Sequence, residues 1–186
     1  MDPDTGTTLV RGAKAIMERL VEDSGTDWSD AALTVAAIGR TCRRSMGGTS
    51  GALYDIFFTA AGGNIRTHPP MSESDVNALW LHAFRAGVDA IMKYGNAKPG
   101  YRTMLDAMLP ALKALEDFGC TVEGASIAAA MSAGGAESTK RMEGLAGRSS
   151  YLPKDVLDGT PDPGATAFAI ITGAVSEALM SSLNAQ

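Results

Sequence analysis

A chain of 186 residues is long enough for one domain with a sizeable core. With 45% hydrophobic and 20% charged residues it has the make-up of a soluble globular protein, and a formal net charge of −5 gives nucleic-acid binding no electrostatic support. No uninterrupted run reaches about 18 apolar residues, so no membrane span is expected, and no basic flank followed by an apolar stretch marks a signal peptide. Cys42 and Cys120 stand apart without a C-x-x-C pair, which suits two reduced, buried thiols in a cytoplasmic protein.

Met1 to Thr8 contains Asp2, Pro3, Asp4 and Gly6 and reads as a loop, with Thr7 or Thr8 capping the first helix. Leu9, Ala13, Ile16, Met17, Leu20 and Val21 recur at helical spacing, so that helix is expected over Thr8–Glu22. Ser24-Gly25-Thr26-Asp27 breaks it. A second helix is expected over about Asp30–Arg44, with Leu33, Ala36, Ala37 and Thr41 on one face. The turn at 47–51 ends it and starts a third, Ala52–Ala61. Residues 62–71, with two prolines, read as a loop. Ser72 opens a long fourth helix reaching Tyr94, its stripe running from Val76 through Leu79, Trp80, Phe84 and Val88 to Ile91. Beyond the loop Gly95–Gly100, a fifth helix is expected over Arg102–Phe118, with Pro110 as a kink candidate. A sixth, small-residue helix spans Val122–Gly144. Pro163 suits a first helical position, giving a last helix over Gly164–Leu183. No segment alternates with period two. The fold expected is all-α, seven to eight helices with short connections and antiparallel neighbours.

The stretch Met46-Gly47-Gly48-Thr49-Ser50-Gly51-Ala52-Leu53-Tyr54 combines backbone freedom, two hydroxyls and a helix start. Such a start presents free N–H groups and a positive dipole end, which suits a phosphate. A turn that merely begins a helix explains the same residues. It is not a P-loop, because no G-x-x-x-x-G-K-[ST] occurs. His68, beside Pro69-Pro70, and His82, in mid-helix, read as solvated residues. Arg40, Arg43 and Arg44 read as cations satisfying a helix C-terminus.

Four motifs occur in order. They are Met46 to Tyr54; Tyr94-Gly95-x-Ala97-x-Pro99-Gly100-x-Arg102-Thr103-Met104-Leu105-Asp106; Gly147-Arg148-x-Ser150-Tyr151; and Asp162-Pro163-Gly164-Ala165. Together they resemble the nucleotide-binding domain of dihydroxyacetone kinases, the DhaL or Dak2-type domain, across essentially the whole chain. The wording is closer to the single-chain, ATP-dependent kinases than to the phosphotransferase-linked subunits. The resemblance implies a barrel of antiparallel helices that binds ATP and Mg²⁺ at one end, through interhelix loops. It implies that Asp2 and Asp4 hold Mg²⁺ and that Thr5, Gly6, Thr7 and Thr8 contact nucleotide phosphate or ribose. Thr49 and Ser50 would hydrogen-bond phosphates. Gly95, Thr103 and Met104 would line the adenine end, with core packing an equal reading of Met104. Arg148, the catalytic candidate, would face the phosphates, and Asp162, Pro163 and Gly164 would close the site. Asp106 is expected to be a structural acceptor.

The sequence departs from the family's pattern twice. The first aspartate of the D-x-x-x-x-D-x-D-x-G loop would lie upstream of Met1, which implies a shortened N-terminus. Tyr101 stands where the family's G-D-R-T-M run has aspartate. The activity implied is phosphoryl transfer to a triose held by a separate dihydroxyacetone-binding, DhaK-like domain or subunit. A non-catalytic nucleotide-binding or regulatory module, and FAD cyclisation to a cyclic FMN, are the alternatives. Neither nucleic acid nor membrane is expected as a partner, and a homodimer stays open.

Overall fold

The structure, a computed structural model, describes residues 3–23, 25, 27–70, 72 and 75–185. The side chains of Pro3, Asp4, Arg148 and Lys154 lie outside that description. Among the described residues there are eight α-helices and no strand: α1 (Pro3–Glu22), α2 (Ala31–Met46), α3 (Gly48–Thr67), α4 (Val76–Gly95), α5 (Leu105–Phe118), α6 (Val122–Ser138), α7 (Lys154–Leu157) and α8 (Pro163–Asn184). Two 3-10 turns, Thr139–Arg141 and Gly147–Tyr151, lie between α6 and α7. The all-α class is as expected. The contacts divide the chain into two units, one ending at Gly95 and the other beginning at Asn96.

In the first unit α1 to α4 pack as successive antiparallel neighbours, and glycines set the spacing. An added Cβ at Gly62 would lie 3.0 Å from the Ala32 carbonyl oxygen, one at Gly39 2.8 Å from Phe58 Cβ, and one at Gly51 3.1 Å from the Cys42 carbonyl oxygen. The α3 positions descend as the α2 positions rise, so the two helices are antiparallel and close. The third helix was expected to end at Ala61, because Gly62 and Gly63 come next. Instead α3 continues to Thr67, because Gly62 serves this close approach. On the other side of α3, Gly87 of α4 receives the Phe57 ring, which meets Phe84 edge-on at 5.5 Å. Ala61, Ile65, Leu79 and Ala83 close the far end.

Helix α1 begins at Pro3, five residues before the expected start, so over residues 3–8 the expected loop is corrected to helix. Proline's fixed φ suits a first helical position, and the extension costs little beyond one helical glycine, Gly6. Packing of Gly12 on the Met46 thioether anchors the helix to α2. Part of its apolar stripe stays in solvent, with Met17 and Val21 exposed.

In the second unit α5 and α6 are antiparallel, and a Cβ at Gly135 would overlap the Asp106 carbonyl oxygen. Pro110 explains that contact. It lacks an N–H, so it offers no helical donor to the carbonyl four residues earlier, and that carbonyl lies against Gly135. The α5 start moves from Arg102 to Leu105 because the preceding turn is held by side chains. The α6 end moves from Gly144 to Ser138, because Thr139 Oγ1 donates to the Ala136 carbonyl at 2.6 Å and tightens the chain into a 3-10 turn. Met104, Leu105, Met108, Ala111, Ala128, Ala136, Ala165 and Phe168 are buried in this unit.

Helix α8 has a mean hydropathy of 1.4 in its most apolar window and, by length and composition alone, could cross a membrane. A count of unbroken apolar residues does not find it, because the glycines, threonines and serines of α8 break the run. Its first turns bury Ala165, Ala167 and Phe168, whereas Ile170, Val175 and Leu183 are exposed and only 17% of that window is buried. Cys42 and Cys120 are free thiols, one buried and one half-buried. Burial pushes the Cys42 thiol up to about 11, and raises Cys120 as well.

Candidate nucleotide site

Each unit carries its own group of candidate residues. In the first unit the group is the turn from α2 into α3. Gly47 (φ 67°) and Gly48 (φ 55°) occupy the left-handed region that disfavours a side chain, and the space a Cβ would take is open at both. Gly51 has a different reason to be glycine, the approach of α2. The three glycines of this stretch therefore split into two that shape an open turn and one that packs helices. Arg11 Nη2 donates to the Met46 carbonyl at 2.7 Å and so holds the turn from behind.

Helix α3 starts at Gly48 with no side chain capping it. The N–H groups of its first turn have no helical acceptor, and Gly48 and Thr49 are exposed with Ser50 half-buried. Two hydroxyls thus flank an uncapped N-terminus of a 20-residue helix. Caps are worth about 1 kcal/mol, so a helix start left bare is a position suited to an external anion. Tyr54, one turn on, is buried with an unpartnered hydroxyl, and burial pushes that phenol well above its ordinary value. Arg43 pairs with Asp55 at 3.3 Å across α2 and α3.

Thr5 and Gly6 fall in the first turn of α1, with Thr7 and Thr8 directly after them, and Thr8 is buried. Asp2 and the carboxylate of Asp4 lie outside the described residues. Among the described residues no three His, Cys, Asp or Glu side chains group as metal ligands. Gly95 is the last residue of α4, packed near a Leu53 methyl.

In the second unit three segments converge. The first is the turn before α5. Asp106 accepts from the Gly100 N–H through Oδ1 and from the Thr103 N–H through Oδ2 at 2.9 Å, the structural acceptor that was expected. Thr103 Oγ1 accepts from Leu105 N at 3.3 Å, and Met104 is buried. The second is the 3-10 turn Gly147–Tyr151, which contains Arg148; the Arg148 side chain lies outside the description. The third is Asp162-Pro163-Gly164, where Asp162 caps α8 by accepting from Ala165 N at 2.9 Å and Pro163 opens the helix. Gly164 leaves room for the Met104 Cβ, 3.5 Å from where its own Cβ would stand.

One residue with no role expected from the sequence joins these segments. Arg102 is 2% exposed and adopts φ 59°. Its Nη1 donates to Ser149 Oγ at 2.8 Å, its Nη2 to the Thr160 carbonyl at 2.8 Å, and Nη1 lies 3.9 Å from Asp162 Oδ1. Ser149 Oγ also reaches Asp162 Oδ1 at 3.2 Å, and the Asp162 N–H donates to Thr139 Oγ1 at 2.7 Å. Burial raises the Asp162 carboxyl above its ordinary value, against the lowering pull of the Ala165 amide, the Ser149 hydroxyl and the Arg102 guanidinium. The sequence signal was faint: an arginine in a loop of glycine and threonine, 47 residues from its serine partner.

A family model of the DAK2 domain matches residues 1–177. The putative 3,4-dihydroxy-2-butanone kinase of Solanum lycopersicum is 44% identical over 173 residues, covering 90% of this chain and 28% of that protein. The triokinase/FMN cyclase of Homo sapiens is 40% identical over 184 residues, 97% of this chain and 30% of that protein. The crystal structure of the dihydroxyacetone kinase from C. freundii in complex with AMP-PNP and Mg²⁺ superposes with a TM-score of 0.72 at 31% identity, over 95% of this chain and 28% of that one. The chain thus spans less than a third of the length of these relatives. It belongs to the DAK2 domain family.

Proposed function

We propose that this chain acts as one domain, the nucleotide-binding part of a kinase that transfers a phosphoryl group from ATP to a small hydroxyketone of the dihydroxyacetone class. The observation that carries the reading is the open, uncapped start of α3, with Thr49 and Ser50 at its tip. The family match across both units supports it, as does the relative solved with AMP-PNP and Mg²⁺. Phosphoryl transfer is mostly positioning and neutralisation of charge. The N–H groups of the α3 start and the two hydroxyls would hold phosphate oxygens, and Arg148 would add a cation. Asp2 and Asp4 are the proposed holders of Mg²⁺, which would add further positive charge at the phosphates.

The ketone would come on a separate substrate-binding domain or subunit. His68 is exposed at the end of α3, within hydrogen-bond distance of Thr67 Oγ1 and the Asn64 carbonyl, and His82 is exposed on α4. Neither is placed to hold a small carbonyl compound. The deciding experiment supplies ATP, Mg²⁺ and dihydroxyacetone and monitors triose phosphate in a coupled assay. Product is expected when a dihydroxyacetone-binding domain is added, and only a trace without it, because positioning is then missing. Robust product from the 186 residues alone would contradict this reading. The name of the human relative favours a second chemistry, FAD cyclisation. AMP and a cyclic FMN released from FAD, with no triose phosphate in the paired assay, would select it.

A further inference from the structure

We infer that Arg102 is a positioning residue that locks the nucleotide-facing segments of the second unit into one arrangement. This role rests on the nucleotide-binding reading and adds a residue to it. Arg102 immediately precedes Thr103 and Met104 in the chain. Its guanidinium donates into the Gly147–Tyr151 turn at Ser149, the neighbour of Arg148, and into the strap before α8 at Thr160, and it faces Asp162. One buried side chain therefore reaches all three segments.

Three further observations point the same way. The left-handed backbone of Arg102 is uncommon for a residue with a long side chain, and such conformations persist only where surrounding contacts over-determine them. The loop on either side is pinned, since the Tyr101 carbonyl accepts from Leu145 N at 3.2 Å and Asp106 holds Gly100 and Thr103. The Gly147–Tyr151 turn presses on Gly144, where a Cβ would stand 2.5 Å from the Ser149 carbonyl oxygen, so the turn can move only if its neighbours do. A planar, two-pronged donor can serve Ser149 and Thr160 together. A lysine ammonium keeps the charge and loses that fork. Arg102 would touch no phosphate. It would decide where the Arg148 backbone and the Asp162–Gly164 strap stand when a nucleotide arrives.

The test compares the wild-type chain with Arg102→Lys and with Ser149→Ala, the milder variant, which keeps the charge pair should the lysine variant fold poorly. Two readouts are taken well below the melting temperature: Mg²⁺–AMP-PNP affinity by calorimetry, and amide hydrogen exchange. In the variants, exchange should rise together at 147–152 and 160–165 while α5 and α6 stay protected. Affinity should fall about tenfold, as expected for disturbing one charge-assisted contact. Wild-type affinity with wild-type exchange would overturn the inference. So would altered exchange with wild-type affinity, which would leave Arg102 a purely structural residue. A wild-type chain that does not bind the analogue would instead bring down the nucleotide reading, and the role of Arg102 with it.

Discussion

Thr49 and Ser50 stand at a helix start whose N-cap, Gly47, supplies no side-chain cap, and this is the simplest physical reason to expect an anion there. Changing both to alanine should leave helicity unchanged and weaken ATP binding, by roughly 1.5–3 kcal/mol for each lost bond to a charged oxygen. Calorimetry checks the affinity and circular dichroism the fold. Unchanged affinity would reduce the stretch to a turn. Asp162 supplies a pH test. Its carboxyl is raised by burial, so the folded state holds the proton more tightly than the unfolded chain does. The stabilising effect of that proton is complete below the ordinary value of 3.8 and is lost as pH climbs through the raised folded value. In thermal melts the wild type should therefore lose ground against Asp162→Asn as pH rises from about 3 upward, whereas acid pairing alone would give the opposite slope. At this scale the sequence showed the polar loop residues and hid their geometry. Asp106 could be read as a structural acceptor because it belongs to the Tyr94–Asp106 motif that carries the family resemblance. Arg102 could not, since its partners lie 47 and 58 residues away and nothing local marks an arginine as buried.

The helices owe their spacing to glycines, and α6 shows how differently two neighbours can behave. Gly135 faces α5, and a Cβ there would overlap backbone at Asp106, which cannot yield as a flexible side chain could. Gly134 points to open space in the same helix. Gly135→Ala should therefore destabilise by about 1–3 kcal/mol or more. Gly134→Ala should stabilise by about 0.5–1 kcal/mol, the usual gain in a helix interior. Paired thermal melts decide it, and equal effects would contradict the close packing of α5 on α6. Element existence was legible because apolar residues recur with the helical period. Element ends were less so. Gly62 reads as a breaker although it serves packing inside α3. Pro3 reads as loop although it can open a helix. Thr139 ends α6 through a hydrogen bond that no local pattern announces.

The described residues form an all-α fold, and the chain belongs to the DAK2 domain family and spans less than a third of these relatives' length. Its family was legible because four ordered motifs fall at helix junctions, where backbone groups are free to meet a ligand. The two units and the buried arginine network were not legible, since both arise from contacts between distant segments. The isolated chain is expected to bind a nucleoside triphosphate. The most direct measurement is a calorimetric titration of the 186-residue chain with AMP-PNP, with and without Mg²⁺. A saturable, one-to-one isotherm that tightens with Mg²⁺ and weakens in the Thr49, Ser50 double variant is the result predicted. A chain of native helicity that gives no heat of binding under either condition would rule out a nucleotide site in these residues.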